Sequence, residues 1–79
     1  MWIKTKTETD SLSELVNTDK IERIGINQDH YILGEREDGI TILLYGAKKR
    51  NREDAEKKMA KIERCLRDGR NFCDLDGEL

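Results

Sequence analysis

Residues 22–45 read ERIGINQDHYILGEREDGITILLY, in which two turn signals separate three runs of β-forming residues. Asp38-Gly39 is typical of a two-residue hairpin turn, because glycine accepts a positive φ and aspartate tolerates one better than most residues. Gln28-Asp29 indicates a second tight turn. The segment therefore predicts three antiparallel strands that follow one another as a meander.

The two turns also predict which side chains share a face, since a two-residue loop sets the pairing register. They place Ile26 opposite Tyr31 and Leu33 opposite Leu44. Both registers put the same residues on one face, and this agreement favours the meander. The shared face consists of Ile24, Ile26, Tyr31, Leu33, Ile42 and Leu44.

A helix over residues 52–68 has an apolar stripe that can cover this face, with a suitable N-cap at Asn51 and a suitable stop at Gly69. The stripe, at helical spacing, consists of Ala55, Met59, Ile62 and Leu66. We therefore predict an α+β fold, with a curved antiparallel sheet of four to five strands and one C-terminal amphipathic helix packed on it. Residues 2–7 and 14–17 supply the additional strands.

One domain is expected, over residues 1–69, with an acidic C-terminal tail over residues 70–79. The chain has 79 residues, of which 41% are charged and 35% hydrophobic, and its formal net charge is -2. A chain of this length buries only about 60% of its unfolded surface, so a second copy would add useful burial.

Three bulky residues point away from the helix in the predicted register. Ile32 and Tyr45 are cross-strand neighbours, and Leu43 lies one pair along, so the three form one patch that Trp2 extends. Contiguous exposed apolar patches usually mark an interface, and a symmetric dimer is the commonest solution. We expect a homodimer formed through this patch. The alternative is coverage within one chain by Trp2, Leu12, Phe72 or Leu75.

Four basic residues, Lys48, Lys49, Arg50 and Arg52, lie just before and at the start of the helix. Two interpretations stay open, namely a solvated loop that keeps a sheet edge soluble and an anion-binding site at the helix N-terminus. The spacing of a glycine-rich phosphate loop is missing. The balanced net charge gives no support for nonspecific nucleic-acid binding.

No residue pattern indicates catalysis, a cofactor or a metal ion. His30 is the only histidine, and its neighbour Asp29 would point to the opposite face of a strand. Cys65 and Cys73 are too few for a disulfide scaffold and lack the spacing of a zinc site. Neither a signal peptide nor an apolar run of membrane-spanning length is recognisable, so we expect a cytoplasmic protein without a membrane partner.

The order MWIKT (residues 1–5), LVN (15–17), KI (20–21) and IGI (24–26) resembles a group of small uncharacterised proteins of Gram-positive bacteria and their prophages. Those proteins begin with Met-Trp-aliphatic-Lys-Thr, continue with Leu-(Val/Ile)-Asn and end in one helix. This chain departs from them by its polar insert and its acidic tail. The resemblance implies a bacterial or phage protein with a reduced pleckstrin-homology-like layout, and it implies no site residues.

These observations favour a small non-enzymatic protein-interaction module that associates with itself or with another protein. One alternative is a phage-encoded inhibitor of host defence, which blocks a nuclease as an acidic mimic or sequesters a nucleotide. Another alternative is a weak nucleic-acid or anion binder that uses residues 48–52. Such binding would weaken steeply with salt.

Overall fold

A computed structural model of the chain describes residues 1–6, 14–46 and 51–75. These residues form six strands in two sheets together with a single helix, so the predicted α+β class is confirmed. In chain order the elements are β1 (Trp2–Lys4), β2 (Leu15–Asn17), a 3-10 turn (Thr18–Lys20), β3 (Ile21–Ile26), β4 (Ile32–Arg36), β5 (Thr41–Tyr45), α1 (Arg52–Arg67) and β6 (Phe72–Asp74).

Strand β1 is the centre of the first sheet, with β2 antiparallel on one side and β6 parallel on the other. The second sheet is the predicted meander, in the order β3-β4-β5. The chain after β1 joins the two sheets, because Lys6 N donates to Leu44 O (3.1 Å) and Gly46 N donates to Lys6 O (2.7 Å). The strands thus form two linked sheets, one of which contains a parallel pair, instead of one antiparallel sheet.

The segment expected to be a tail contributes β6 to the first sheet. Cys73 and Leu75 are 1% and 0% exposed. Leu75 N donates to Lys4 O at 3.0 Å, which continues the parallel pairing past the end of β6. The folded part therefore extends beyond the predicted boundary after Gly69, and residues 76–79 lie outside the described residues.

The loop between β3 and β4 is one residue longer than the predicted Gln28-Asp29 turn. Asn27 N donates to Tyr31 O at 3.0 Å, so residues between them form the loop. The Asn27 side chain also accepts hydrogen bonds from the N–H groups of Asp29 and Tyr31. His30 closes the loop with φ of 66°. A left-handed residue at the last position is typical of three-residue hairpin loops.

The loop between β4 and β5 has the same geometry. Arg36 N donates to Ile40 O at 2.9 Å, so residues 37–39 form the loop. Gly39 has φ of 87°, a conformation that glycine adopts at little cost. Each extra loop residue moves the register by one, and a one-residue shift turns the side chains of a strand to the other face.

The inner face of the second sheet therefore differs from the prediction in strand β4. Leu33 lies opposite Leu43 instead of Leu44 and is only partly buried, whereas Ile32 is fully buried. A bulge at Leu44 brings Tyr45 opposite Ile32, which is the one cross-strand pair that the sequence predicted correctly.

Helix α1 begins at the predicted cap and ends one residue before the predicted end. Asn51 Oδ1 accepts a hydrogen bond from Asp54 N at 2.8 Å. Gly69, just after the helix, has φ of 66°, as expected for a helix stop. The buried face differs at its C-terminal end, because Cys65 is 7% exposed and Leu66 is 53% exposed. The prediction that Leu66 belongs to the buried stripe is therefore wrong.

The core lies between the inner faces of the two sheets and α1. Its buried residues are Ile3, Ile32, Leu44, Tyr45, Ile62, Cys65, Cys73 and Leu75. Ile21, Ile24 and Met59 pack against this core but remain partly exposed. Ile21 and Ile24 belong to β3, an edge strand of the second sheet, and Met59 lies with them around one depression, so this side of the core is open.

Candidate interaction surfaces

The predicted self-association patch is not assembled as one surface. Ile32 and Tyr45 are 0% and 4% exposed, so their predicted outward orientation is wrong. The helix contributes to the cover of Tyr45, since Lys58 Nζ lies 5.7 Å from the centre of its ring. Leu43 is partly buried on the opposite face of the second sheet, and Trp2 is exposed on the first sheet. Ile32 and Tyr45 are thus covered within one chain, and of the residues that the sequence offered as cover, Leu75 joins their core whereas Trp2 and Phe72 are exposed. Leu12 lies outside the described residues.

Of the four residues in the basic cluster, the structure describes Arg52, whereas Lys48, Lys49 and Arg50 lie outside the described residues. Arg52 is exposed, and its Nε lies 2.9 Å from Oε1 of Glu56. An ion pair one helical turn apart, exposed on both sides, contributes little stability. Anion binding by this cluster stays a prediction.

Two aromatic rings and a leucine instead lie together on the outer face of the first sheet. Trp2 is directly opposite Phe72 in the parallel pair β1–β6, and Leu15 is opposite Lys4 in the antiparallel pair β1–β2. Partners in a pair of strands, and residues two apart along a strand, share a face. The exposed fractions of Trp2, Phe72 and Leu15 are 48%, 48% and 61%. We call this surface the aromatic face.

The opposite face of the same strands explains why these side chains point outward. Ile3, at the centre of the sheet, is flanked by Val16 on β2 and Cys73 on β6. Ile3 and Cys73 are buried in the core, and Val16 packs against it. With alternation along each strand, the neighbours of these residues must face away from the core. Sequence reasoning included Trp2 and placed Leu15 on a strand without assigning it to this face. It missed Phe72, because the parallel β1–β6 pairing has no local sequence signal.

A second surface is the cleft between the edge strand β3 and helix α1, which we call the β3–α1 cleft. One depression of about 310 Å³ is lined by Thr18, Ile21, Glu22, Ile24, Met59, Ile62, Glu63 and Leu66. A second depression, of about 360 Å³, is lined by Ile26, Asn27, Gln28, His30, Arg52 and Glu56. The start of β3 thus lies beside the end of α1, and the end of β3 lies beside its start. The helix is antiparallel to β3, with both depressions between them.

The outer face of the second sheet carries a third depression. This depression, of about 310 Å³, reaches from the edge strand β3 across the face and is lined by Arg23, Ile24, Gly25, Ile26, Asn27, Leu33, Glu35 and Thr41. Arg23 Nη2 lies 3.2 Å from Oε1 of Glu35 on the neighbouring strand. The Tyr31 ring packs against Gly46, because a Cβ built on that glycine would lie 2.6 Å from Cδ1 of the ring. This face is therefore partly closed by its own side chains.

The two cysteines are free thiols in the core. Burial, followed by a hydrogen bond with the Cys65 thiol, raises the pKa of Cys73 to about 12. A thiol with such a pKa stays protonated near neutral pH and is a poor nucleophile and metal ligand. Within residues 1–6, 14–46 and 51–75, no group of three or more His, Cys, Asp or Glu side chains could hold a metal ion.

Within the described part of the chain, α1 is neither long nor apolar enough to cross a membrane. Comparison with known proteins found no matching protein-family model, no matching curated protein and no matching solved structure.

Proposed function

We propose that the chain is a small non-enzymatic protein-interaction module that forms a homodimer through the aromatic face. The observation that carries the proposal is the exposure of Trp2, Phe72 and Leu15 on one face of the first sheet, where Trp2 lies beside Phe72 and diagonally from Leu15. Exposed apolar clusters of this kind usually mark an interface. Tryptophan is also among the residues that contribute most to binding when an interface covers them.

The other side chains of this face suit a two-fold contact. Lys4 and Asp74 are partners in the β1–β6 pair and share the face with Trp2 and Phe72. In a symmetric dimer each surface meets its own copy, so opposite charges on one face can pair across the axis. Trp2 and Phe72 would then meet the same rings of the other copy, with the charged side chains Lys4 and Asp74 beside them on the face.

Sedimentation equilibrium tests the proposal. Wild type should form a dimer at micromolar concentration, and Phe72→Ser should shift the equilibrium towards monomer. Ile40→Ser is the matched control, since Ile40 is 52% exposed in the β4–β5 hairpin, away from the aromatic face. Circular dichroism should show that both variants are folded. A wild type that stays monomeric at millimolar concentration would contradict the proposal.

A second candidate function is stacking on single-stranded nucleic acid, because the aromatic pair Trp2 and Phe72 lies beside Lys4. Aromatic rings with neighbouring basic groups are typical of such sites. An oligonucleotide should then quench Trp2 fluorescence, and the binding should weaken steeply as salt rises. Unchanged fluorescence at low salt would remove this candidate.

An inhibitor of host defence remains an alternative role for an interaction module of this size. The support is the small size of the chain, its high content of charged residues, 41%, and the resemblance of residues 1–5, 15–17, 20–21 and 24–26 to prophage proteins. Defence or anti-defence genes beside the coding gene would favour this role, and a housekeeping operon would argue against it.

A further inference from the structure

We propose a second binding site, in which the β3–α1 cleft takes an extended, basic segment of a partner protein that pairs with the edge of β3. This mode of binding combines main-chain hydrogen bonds to a sheet edge with pockets for alternate side chains. None of the residues that line the cleft belongs to the aromatic face, so the proposal does not depend on self-association.

The main chain of β3 has hydrogen-bonding groups directed to the open edge. The bond from Asn27 N to Tyr31 O makes these residues a hydrogen-bonded pair. Since such pairs alternate along an antiparallel ladder, Gly25 bonds towards β4, whereas Ile24 and Ile26 direct their N–H and C=O groups outward. In the described part of the sheet, β3 has β4 as its only neighbouring strand. An added strand would therefore pair at Ile24 and Ile26.

The side chains of that added strand would point into the cleft at alternate positions. Residues opposite Ile24 and Ile26 share the inner face of the sheet with them, and that face looks towards α1. Leu66, 53% exposed on the helix, and Met59, partly exposed, form the facing wall. The cleft thus offers apolar contacts to every second residue of an extended segment.

The charge of the cleft selects a basic segment. Glu22 on β3 and Glu63 on α1 line the same depression, on its two sides. Both are exposed, and neither makes an ion pair with another described residue. At the other end of the cleft, Arg52 and Glu56 already neutralise each other. A lysine or arginine beside the apolar residues of the segment would therefore find complementary charge.

The length of the segment follows from β3, which has 6 residues. At a rise of about 3.3 Å per residue, the strand spans roughly 20 Å, so about six partner residues would fill the cleft. The competing occupant is a second copy of this chain, paired through its own β3. That strand carries one glutamate and one arginine, so it has no excess of positive charge to place against Glu22 and Glu63. Complementary charge therefore favours a basic partner.

The probe for the first experiment is a display library of random peptides of about ten residues, selected against the full chain. We expect enrichment of peptides in which apolar residues alternate with others and at least one lysine or arginine is present. Affinity of the strongest peptide is then measured by calorimetry. Acidic or non-alternating peptides, or no enrichment, would overturn the proposal.

Protein variants test the location of the bound peptide. Leu66→Ser should weaken peptide binding about tenfold or more, the loss of one or two apolar contacts. The matched control is Leu15→Ser on the aromatic face, where Leu15 is 61% exposed; it should bind as wild type does. Glu63→Lys should weaken binding, whereas Glu37→Lys, with the same change of net charge in the β4–β5 loop, should not.

Main-chain pairing is tested on both partners. Ile26→Pro removes an N–H group that points to the open edge and keeps the hydrogen bonds between β3 and β4, so this variant should not bind the peptide. Ile26→Val keeps the N–H group and should bind the peptide. N-methylation of every second peptide residue tests the same pairing without any change to the protein. It should abolish binding when the methylated N–H groups are those that face β3, and it should leave binding unchanged when they are the N–H groups that face away. Binding that survives every such change would overturn the proposal.

Sedimentation of Leu66→Ser shows separately whether the dimer persists. A dimer that is lost with this variant would identify a second copy as the occupant of the cleft.

Discussion

Trp2 lies directly opposite Phe72 in the parallel pair of strands β1 and β6, and each side chain is 48% exposed on the same face. Trp2 is also the only tryptophan of the chain, so its fluorescence reports on this face alone. If the aromatic face forms the dimer, its emission should move to shorter wavelength as protein concentration rises, because association removes water from the indole.

Two variants separate this effect from other causes. Phe72→Ser should keep the emission at long wavelength over the whole concentration range, and Ile40→Ser should show the wild-type shift. A dimer seen by sedimentation whose Trp2 emission does not change with concentration would place the interface on another surface.

The second prediction concerns the two residues of β4 that the sequence assigned to the wrong faces. Ile32→Ala should lower the free energy of unfolding by about 2–5 kcal/mol, because the side chain is fully buried and its removal leaves a cavity. Leu33→Ala should cost clearly less, since Leu33 is only partly buried on the outer face. Chemical denaturation of both variants measures the difference, and a larger loss for Leu33→Ala would restore the register predicted from the sequence.

The exchange of faces between Ile32 and Leu33 shows which features of the meander could be predicted from the sequence and which could not. The positions of the three meander strands were predicted from turn signals and β-forming residues, and they agree with the structure. Both loops were predicted one residue too short. In the first, His30 occupies the left-handed position at which a glycine would have been recognised, and in the second, Asp38-Gly39 can form a two-residue turn or the end of a three-residue loop. An error of one residue in both loops turned the whole central strand β4, whereas Ile24 and Ile42 kept their predicted face. In β5 only Tyr45 changed face, because of the bulge at Leu44.

Local signals predicted the helix best, because caps and stops act on neighbouring residues. The cap at Asn51 and the stop at Gly69 are both present. The first sheet was beyond such reasoning, since β6 pairs in parallel with a strand from the other end of the chain. A polar, acidic segment gave no sign that Cys73 enters the core, and Leu75 was considered only as one possible cover in the alternative to a dimer. The aromatic face depends on that pairing and was therefore missed in part.

The third prediction concerns His30 and its left-handed conformation. A residue with a Cβ pays an energetic penalty at φ of 66°, and glycine does not. His30→Gly should therefore raise the free energy of unfolding, by up to about 1 kcal/mol after the greater freedom of glycine in the unfolded chain is counted. Gly39→Ala, at φ of 87° in the other loop, should have the opposite effect. Thermal denaturation of the two variants tests both signs, and a destabilised His30→Gly would contradict the loop geometry.

The last prediction is a loss of stability at alkaline pH that originates at Cys73. Burial and the neighbouring Cys65 thiol raise the pKa of Cys73 from its ordinary value of 9.0 to about 12. Between these values the unfolded chain releases the thiol proton while the folded chain keeps it. The unfolded state then binds fewer protons, so the free energy of unfolding falls as pH rises, by up to about 1.4 kcal/mol per pH unit.

Below pH 9 the contribution of this thiol is constant, and the loss begins as pH rises through the pKa of the unfolded chain. Burial also raises the pKa of Tyr45, which steepens the decline in the same direction, so wild type alone cannot assign the effect. Cys73→Ala isolates it, because this variant keeps Tyr45 and loses the thiol. Its stability at neutral pH will be lower, but its decline above pH 9 should be shallower than that of wild type. Urea denaturation at a series of alkaline pH values measures the two slopes, and parallel slopes would show that the Cys73 thiol does not hold its proton in the fold.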